Sequence, residues 1–365
     1  MEFGGIGDKL GTPQRKDDHI RFALENDVQC RASAGFDDVT LIHSSLPEMD
    51  LEDIRTETSL LGKKMDYPFI ISAITGGSER AEGINKDLAI LAERHNIGMS
   101  VGSQRAMIEN ESLRGTYEIR KYAPDILLFS NLGLAQIIGM DNGSISSLID
   151  SIGADALAVH LNPLQEVLQP EGDTTFKGGL QRLRELKDDL GCPVIVKETG
   201  AGISMEVARL LSFLDGAEIS GVGGTSFAAV EYYRAKNALQ KHTANLFWDW
   251  GIPTVPSIIE TKKHISTIIA SGGVRNGMHI AKCLVLGASC AGLAQPFLSA
   301  VYNRPLTQAS EYLDRMVHEL RTTMFLTGAD SVDELKSLPA VFHGRTREYL
   351  EERGFDLKQF SQRGV

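Results

Sequence analysis

Seven residues near the middle of the chain carry a dense set of reactive groups: His160-Leu161-Asn162-Pro163-Leu164-Gln165-Glu166. An imidazole can move a proton, carboxamides orient polar substrates, and a carboxylate can act as a base or hold a hard cation. Residues 156–159 just upstream form a short apolar run of the kind a buried parallel strand uses. Pro163 then stops strand pairing, because it lacks an N–H and restricts the residue before it. A polar strand-to-helix turn with a capping Asn would have the same local sequence. The elements around the stretch have to decide between the two.

Other segments carry chemistry of a different kind. Ser271-Gly272-Gly273-Val274-Arg275 follows an apolar run and precedes a helix-like segment from about Asn276. Glycines let backbone N–H groups approach phosphate oxygens, and a helix N-terminus adds partial positive charge. Gly223-Gly224-Thr225 offers a second set of donors. Lys197 ends the run Pro193-Val194-Ile195-Val196. A lysine there is a Schiff-base candidate, a cation for an electron-rich cofactor ring, or a plain salt-bridge partner of Glu198. Arg15-Lys16 with His19 reads either as a solvated charge run or as a basic clamp over an anion.

The elements that must position these groups show a rhythm. Apolar runs occur at 67–73, 97–101, 126–130, 156–160, 193–197, 217–220, 267–270 and 290–294. Between them lie segments with helical spacing, such as Ile84, Leu88 and Leu91, then Leu180, Leu183 and Leu186, then Ile280, Leu284 and Leu286. Eight strand–helix units predict an α/β fold, a (β/α)₈ TIM barrel, with an N-terminal extension and a C-terminal helical extension. A doubly wound open sheet is the alternative, weakened because no GxGxxG follows the first strand. The division expected is one domain over 1–365: an arm over 1–35, a lead-in hairpin over 36–66, the barrel over 67–330 and an extension over 331–365. Glycine, Ser/Thr and Lys/Arg recur just after the strands, and in a barrel those points share one face, where ligands bind. The aromatic-rich stretch 225–256 is long for a βα connection and reads as a lid, an oligomer contact or a helix packed on the barrel.

Composition narrows the function classes. A net charge of −11 argues against a general nucleic-acid binder. No apolar run reaches membrane-spanning length, and the N-terminus lacks a basic segment followed by an apolar one. The four cysteines form no CxxC pair, which suggests neither a disulfide framework nor a zinc site, so a reducing cytoplasm is the expected compartment.

In order along the chain, Arg15-Lys16 with His19, Ala73-Ile74-Thr75-Gly76-Gly77, Val101-Gly102-Ser103-Gln104-Arg105, His160 to Glu166, Lys197-Glu198, Ser220-Gly221-Val222-Gly223-Gly224-Thr225 and Ser271 to Arg275 closely resemble the type 2 isopentenyl-diphosphate isomerases. Phe227 departs from the resemblance, where a Trp is expected. The resemblance implies an FMN-dependent barrel that interconverts isopentenyl and dimethylallyl diphosphate. It also implies Mg²⁺ and a flavin kept reduced, for instance by NAD(P)H, without net redox turnover. FMN would lie against Ala73, Ile74, Thr75, Ser103, Asn131, Lys197, Ser220 and Thr225. Its phosphate would sit at Gly272, Gly273, Val274, Arg275, Ala294 and Gln295. The substrate diphosphate would be held by Arg15, Lys16, Ser103, Gln104 and Arg105, with His160, Asn162 and Gln165 beside it. Glu166 would bind Mg²⁺. Catalytic roles fall to Gln165, His160 and Lys197; Gln165 is uncharged and a poor base, so its part is positioning. A homotetramer or larger homo-oligomer is implied as well. The competing expectations are an FMN-dependent dehydrogenase or oxidase of a small phosphorylated or hydroxy-acid substrate, and a non-catalytic flavin- or phosphate-binding barrel.

Overall fold

The computed structural model describes residues 12–364, with side chains from Lys16 onward. Eight parallel strands close into a barrel in chain order: β1 Phe69–Ile71, β2 Gly98–Ser100, β3 Leu128–Gly133, β4 Ala156–His160, β5 Val194–Lys197, β6 Gly216–Glu218, β7 Ile268–Ser271 and β8 Cys290–Leu293. β8 pairs with both β7 and β1, which completes the ring and leaves no open sheet.

The period-two alternation of strands sorts side chains between two cores. Ile70, Phe129, Ala156, Ala158, Ile195, Ile269 and Cys290 pack inside the barrel. Leu157, Val159, Val194 and Val196 belong to the larger core under the helices. The same alternation carried to the strand ends turns Ser72, Asn131, His160, Lys197, Glu218 and Ser271 toward the barrel axis at its C-terminal mouth.

Two short antiparallel pairs flank the barrel. Thr58–Leu60 pairs with Lys63–Met65 through Leu61 and Gly62, at φ 48° and 85°. This hairpin delivers Leu60 and Met65 into the barrel's inner core. Val39–Leu41 pairs instead with Ala340–Phe342, tying the lead-in to the far end of the chain.

The helices that matter for the site are α1 Thr12–Glu25, α2 Glu79–Arg94, α3 Pro163–Leu168, α4 Gly179–Asp189, α5 Phe227–Arg234, α6 Thr254–Lys262, α7 Gly277–Val285 and α8 Leu306–Thr327. Their inward faces follow the sequence periodicity. Ile84, Leu88 and Leu91 of α2, Leu183 and Leu186 of α4, and Ile280 and Leu284 of α7 are buried. Leu180 stays partly exposed at the helix edge, and Leu286 is buried just past the end of α7. Ser78 caps α2, accepting from the Ala81 N–H, and Gly328 ends α8 at φ 76°.

The aromatic-rich stretch packs α1 across the mouth. Val28, Val230 and Trp248 form a small separate core, with Phe22, Tyr232 and Tyr233 against it. Among the described residues no helix is long and apolar enough to cross a membrane.

Candidate active site

The mouth of the barrel holds two adjoining cavities. The outer one is lined from α1 by Lys16, His19, Ile20 and Ala23, and from the βα loops by Ser103, Arg105, Asn131, His160, Asn162, Gln165 and Glu166. The inner one is lined by Ser220, Ser271, Gly272, Gly273, Val274 and Arg275. Ala73, Lys197, Thr225, Ala294 and Gln295 face both, while Ile74 and Thr75 line the outer one. The residues expected around a flavin therefore converge, and Lys16, Ser103, Arg105, His160, Asn162 and Gln165 of those expected around a diphosphate lie beside them.

The inner cavity ends in interlocked glycine turns. Gly223, Gly272 and Gly273 have φ of 118°, 101° and 76°, the left-handed region that favours glycine. A Cβ on Gly272 would sit 2.1 Å from the Gly221 carbonyl oxygen, and one on Gly224 would sit 2.6 Å from the Gly273 nitrogen. The backbones after β6 and β7 can meet only because neither carries a side chain there. Thr254 Oγ1 donates to the Gly272 carbonyl at 2.6 Å, and α7 begins just beyond, capped by Asn276 on the His279 N–H. Two hydroxyls of the cavities, Thr75 Oγ1 and Thr225 Oγ1, are buried without a protein partner. Buried hydroxyls are rarely left so. Glycine turns, a helix N-terminus and two orphaned hydroxyls together fit a ligand with a phosphate and several ring heteroatoms.

The residues after β4 form a fixed constellation. Asn162 adopts φ 32°, ψ 47° and its side chain makes no capping bond to the helix backbone. Its Nδ2 instead donates to Gln165 Oε1 and Glu166 Oε1, each at 3.2 Å. Glu166 Oε2 accepts from Gln169 Nε2 at 2.9 Å and from the Asp173 N–H at 2.6 Å. The plain capping alternative for this stretch is thereby excluded. Asn131 Nδ2 donates to the Val101 carbonyl, so its Oδ1 accepts from His160 Nδ1 at 2.8 Å. That bond makes Nδ1 the protonated ring nitrogen.

α1 lies along the outer cavity. His19 Nε2 meets Glu231 Oε1 at 3.2 Å, and Arg234 joins Glu231 to Glu171. Arg105 Nε donates to Glu109 at 2.9 Å while lining the outer cavity. The Arg15 side chain lies outside the described residues. Gln104, expected beside the diphosphate, lines neither of the two cavities. It is fully buried; its Oε1 accepts from Ser130 Oγ and the Asn131 N–H, and its Nε2 donates to the Leu148 carbonyl. The neighbouring strand captures the carboxamide before it can reach the mouth.

Lys197 Nζ donates to the backbone carbonyl of Glu198 at 3.1 Å, not to its carboxylate. The Glu198 carboxyl is buried on the other side of the strand end. Burial pushes it up to about 7, against the Thr199 and Asn162 N–H groups and the Lys197 charge, which favour ionisation. The native state thus retains a proton that the unfolded chain gives up from its ordinary value of 4.5 upward. Stability from this group is fully present below that value and is lost as pH rises to about 7. Glu198→Gln is expected to flatten this part of the stability–pH curve and to gain relative to the parent above neutrality. Thermal unfolding from pH 4.5 to 8 checks this; parallel curves for the two proteins would contradict it.

Several polar lining residues lie outside the expected site set, Ser72 among them. Thr199 follows Glu198, and Gln169 lies three residues after Glu166. Gln136 Oε1 is buried without a partner at the outer cavity, with only the carboxamide in Asn131-Leu132-Gly133-Leu134-Ala135-Gln136 as a signal. Glu218, buried in the inner cavity, was marked by an acid inside an apolar strand.

Comparisons with known proteins bear on the fold and the family. A family model described as FMN-dependent dehydrogenase matches residues 250–340, which include the β7 glycine turn and β8. A flavocytochrome b2 double mutant with pyruvate bound superposes with a TM-score of 0.66 at 18% identity, over 98% of this chain and 89% of that one. A mandelate oxidase mutant superposes at 0.60 and 14% identity, over 90% and 97%. At such identities the likeness concerns the fold. Sequence relatives lie nearer. Proteins named isopentenyl-diphosphate delta-isomerase match from Thermococcus onnurineus (47% identical, covering 93% of this chain and 94% of that protein), Thermococcus kodakarensis (46%, 96% and 97%) and Methanosarcina barkeri (44%, 97% and 98%). With the motifs, the closed barrel and this identity over nearly its whole length, the chain belongs to the isopentenyl-diphosphate delta-isomerase family.

Proposed function

We propose that this isomerase interconverts isopentenyl diphosphate and dimethylallyl diphosphate using reduced FMN and Mg²⁺, with NAD(P)H as the reductant that keeps the flavin reduced. The observation that carries the reading is the junction of the two cavities. The glycine turns and orphaned hydroxyls suit a flavin nucleotide, and Lys16, Arg105, His160 and Glu166 open onto the adjoining space.

Bound there, reduced FMN would supply an electron-rich ring with an exchangeable proton at N5. The chain's own residues do the rest. Lys197 offsets negative charge on the ring from the end of β5. Lys16 and Arg105, with Arg15, neutralise diphosphate charge; the arginines match phosphate oxygens with planar forks of donors. His160, held through Nδ1 by Asn131, orients the substrate. Asn162 fixes Gln165, whose carboxamide positions the allylic carbons. Glu166 supplies one carboxylate to Mg²⁺. Among the described residues no group of three or more His, Cys, Asp or Glu could hold a metal. Mg²⁺ would therefore complete its shell with diphosphate oxygens and water, as it does at many phosphate sites. α1 and Phe227 cover the mouth and keep bulk water from the ring. The family resemblance further supports a cytoplasmic homotetramer or larger homo-oligomer with no nucleic-acid or membrane partner.

The deciding experiment is anaerobic turnover. Purified protein with reduced FMN, Mg²⁺ and isopentenyl diphosphate is expected to form the dimethylallyl isomer with no net consumption of reductant. Failure to isomerise, with stoichiometric oxidation of a substrate instead, would favour the dehydrogenase reading that the match over residues 250–340 leaves as the second choice.

A further inference from the structure

Most barrel strands end on an inward polar residue at the mouth. Two of these residues carry opposite formal charges, and they are neighbours. Lys197 on β5 and Glu218 on β6 are register partners, and both line the inner cavity. Glu218 is 2% exposed. One layer deeper the inner positions are apolar, with Ile70, Ile195 and Ile269 among them. An apolar residue would therefore complete the barrel at this level without the cost of burying a charge.

The structure instead builds a seat for the carboxylate. Ser72 Oγ donates to Glu218 Oε1 at 2.6 Å, and Ser271 Oγ donates to the same oxygen at 3.0 Å. Ser271 is on the adjacent strand, but Ser72 is three strands away around the ring. The bridge passes Gly292 on β8, where a Cβ would sit 2.4 Å from Ser72 Oγ. Two donor hydroxyls and a missing side chain thus converge on one carboxylate. Its other oxygen accepts no hydrogen bond from these two hydroxyls.

We propose that Glu218 is a second electrostatic determinant of the cofactor pocket: it fixes a negative charge beside Lys197 in the inner cavity and would lower the reduction potential of a flavin bound there. This rests on the FMN reading above. A fixed negative charge in a site shielded from water disfavours added electrons on the ring, while the Lys197 cation favours them. The pair sets the potential between two extremes instead of leaving Lys197 unopposed. A carboxylate that only tied β6 to β1 and β7 would be replaceable by a neutral acceptor of the same shape with no effect on the flavin.

The test is equilibrium reduction of the FMN-loaded protein against a reference dye. Glu218→Gln keeps an acceptor for both hydroxyls and removes the charge. At a fixed dye potential its ratio of reduced to oxidised flavin is expected to rise at least several-fold over the parent. Glu218→Asp, which keeps the charge, is expected to stay nearer the parent, and Lys197→Met to move the opposite way. An unchanged ratio in Glu218→Gln with FMN bound, or an equal rise in Glu218→Asp, would overturn the proposal. If Glu218→Gln does not accumulate, Glu218→Met, neutral and apolar, serves as the same test with the same expected rise. A parent protein that binds no FMN would sink the cofactor reading itself, an outcome distinct from a bound flavin with an unmoved potential.

Discussion

Glu166→Ala is expected to lower Mg²⁺-dependent isomerisation by about 10³-fold while FMN stays bound, since loss of metal stabilisation of phosphate charge is worth several kcal/mol. The expectation follows from how the carboxylate is held. Oε2 is occupied by Gln169 and the Asp173 N–H, so its orientation is set by the protein. Oε1 receives only the 3.2 Å bond from Asn162 and opens onto the outer cavity. Removing the side chain also frees Asn162 Nδ2, and Gln165 then loses a neighbour that shares its donor. Initial rates across a Mg²⁺ titration check the metal assignment, with flavin absorbance reporting retained cofactor. A variant with the parent's Mg²⁺ dependence would remove Glu166 from the metal site.

Gly272→Ala is expected to destabilise the fold by on the order of 3 kcal/mol, combining a left-handed backbone with overpacking, and to abolish FMN retention. Gly272 sits at φ 101°. Its added Cβ would meet the Gly221 carbonyl at 2.1 Å and Thr254 Oγ1 at 2.7 Å. The first neighbour is backbone and cannot swing aside. The second holds the Gly272 carbonyl and would be pushed off it. Relief requires the turns after β6 and β7 to separate, which spreads the donors a phosphate would use. Thermal unfolding of the apo-protein and the flavin content after gel filtration measure the two effects separately. Normal stability with full flavin content would show that the turns tolerate a methyl group, contrary to their packing.

The elements of this fold were legible where burial is continuous. A parallel strand covered on both faces must be an apolar run, and all eight strands announced themselves that way. The mouth was legible because glycine, serine and lysine have little reason to follow such runs except at a binding face. What escaped depends on residues remote in sequence. Gln104 stands among cavity residues, yet a hydroxyl and an N–H on β3 draw it inward. The pairing of Val39–Leu41 with Ala340–Phe342 spans most of the chain, and no local pattern encodes it. Asn162 has the residue type of a helix cap, but its side chain is captured by the two side chains it helps to arrange. Glu218 was visible only as an acid in the wrong company; its two serine donors come from just past β1 and from β7.

The stretch that follows α1 ties these parts together mechanically. Gln29 bridges to Thr225, and its side chain accepts from Arg275 at 2.8 Å. The Cys30 N–H donates to the Gly224 carbonyl, and Ala34 packs so closely that a Cβ on Gly223 would lie 2.3 Å from its backbone. Residues 27–36 thus lie against the glycine turns, and the same piece of backbone runs directly into the helix that carries Lys16 and His19. α1 is therefore tethered where the chain meets the glycine turns. The cradle and the cover of the outer cavity thus share one short strap, and a substitution that displaces residues 27–36 would disturb both at once.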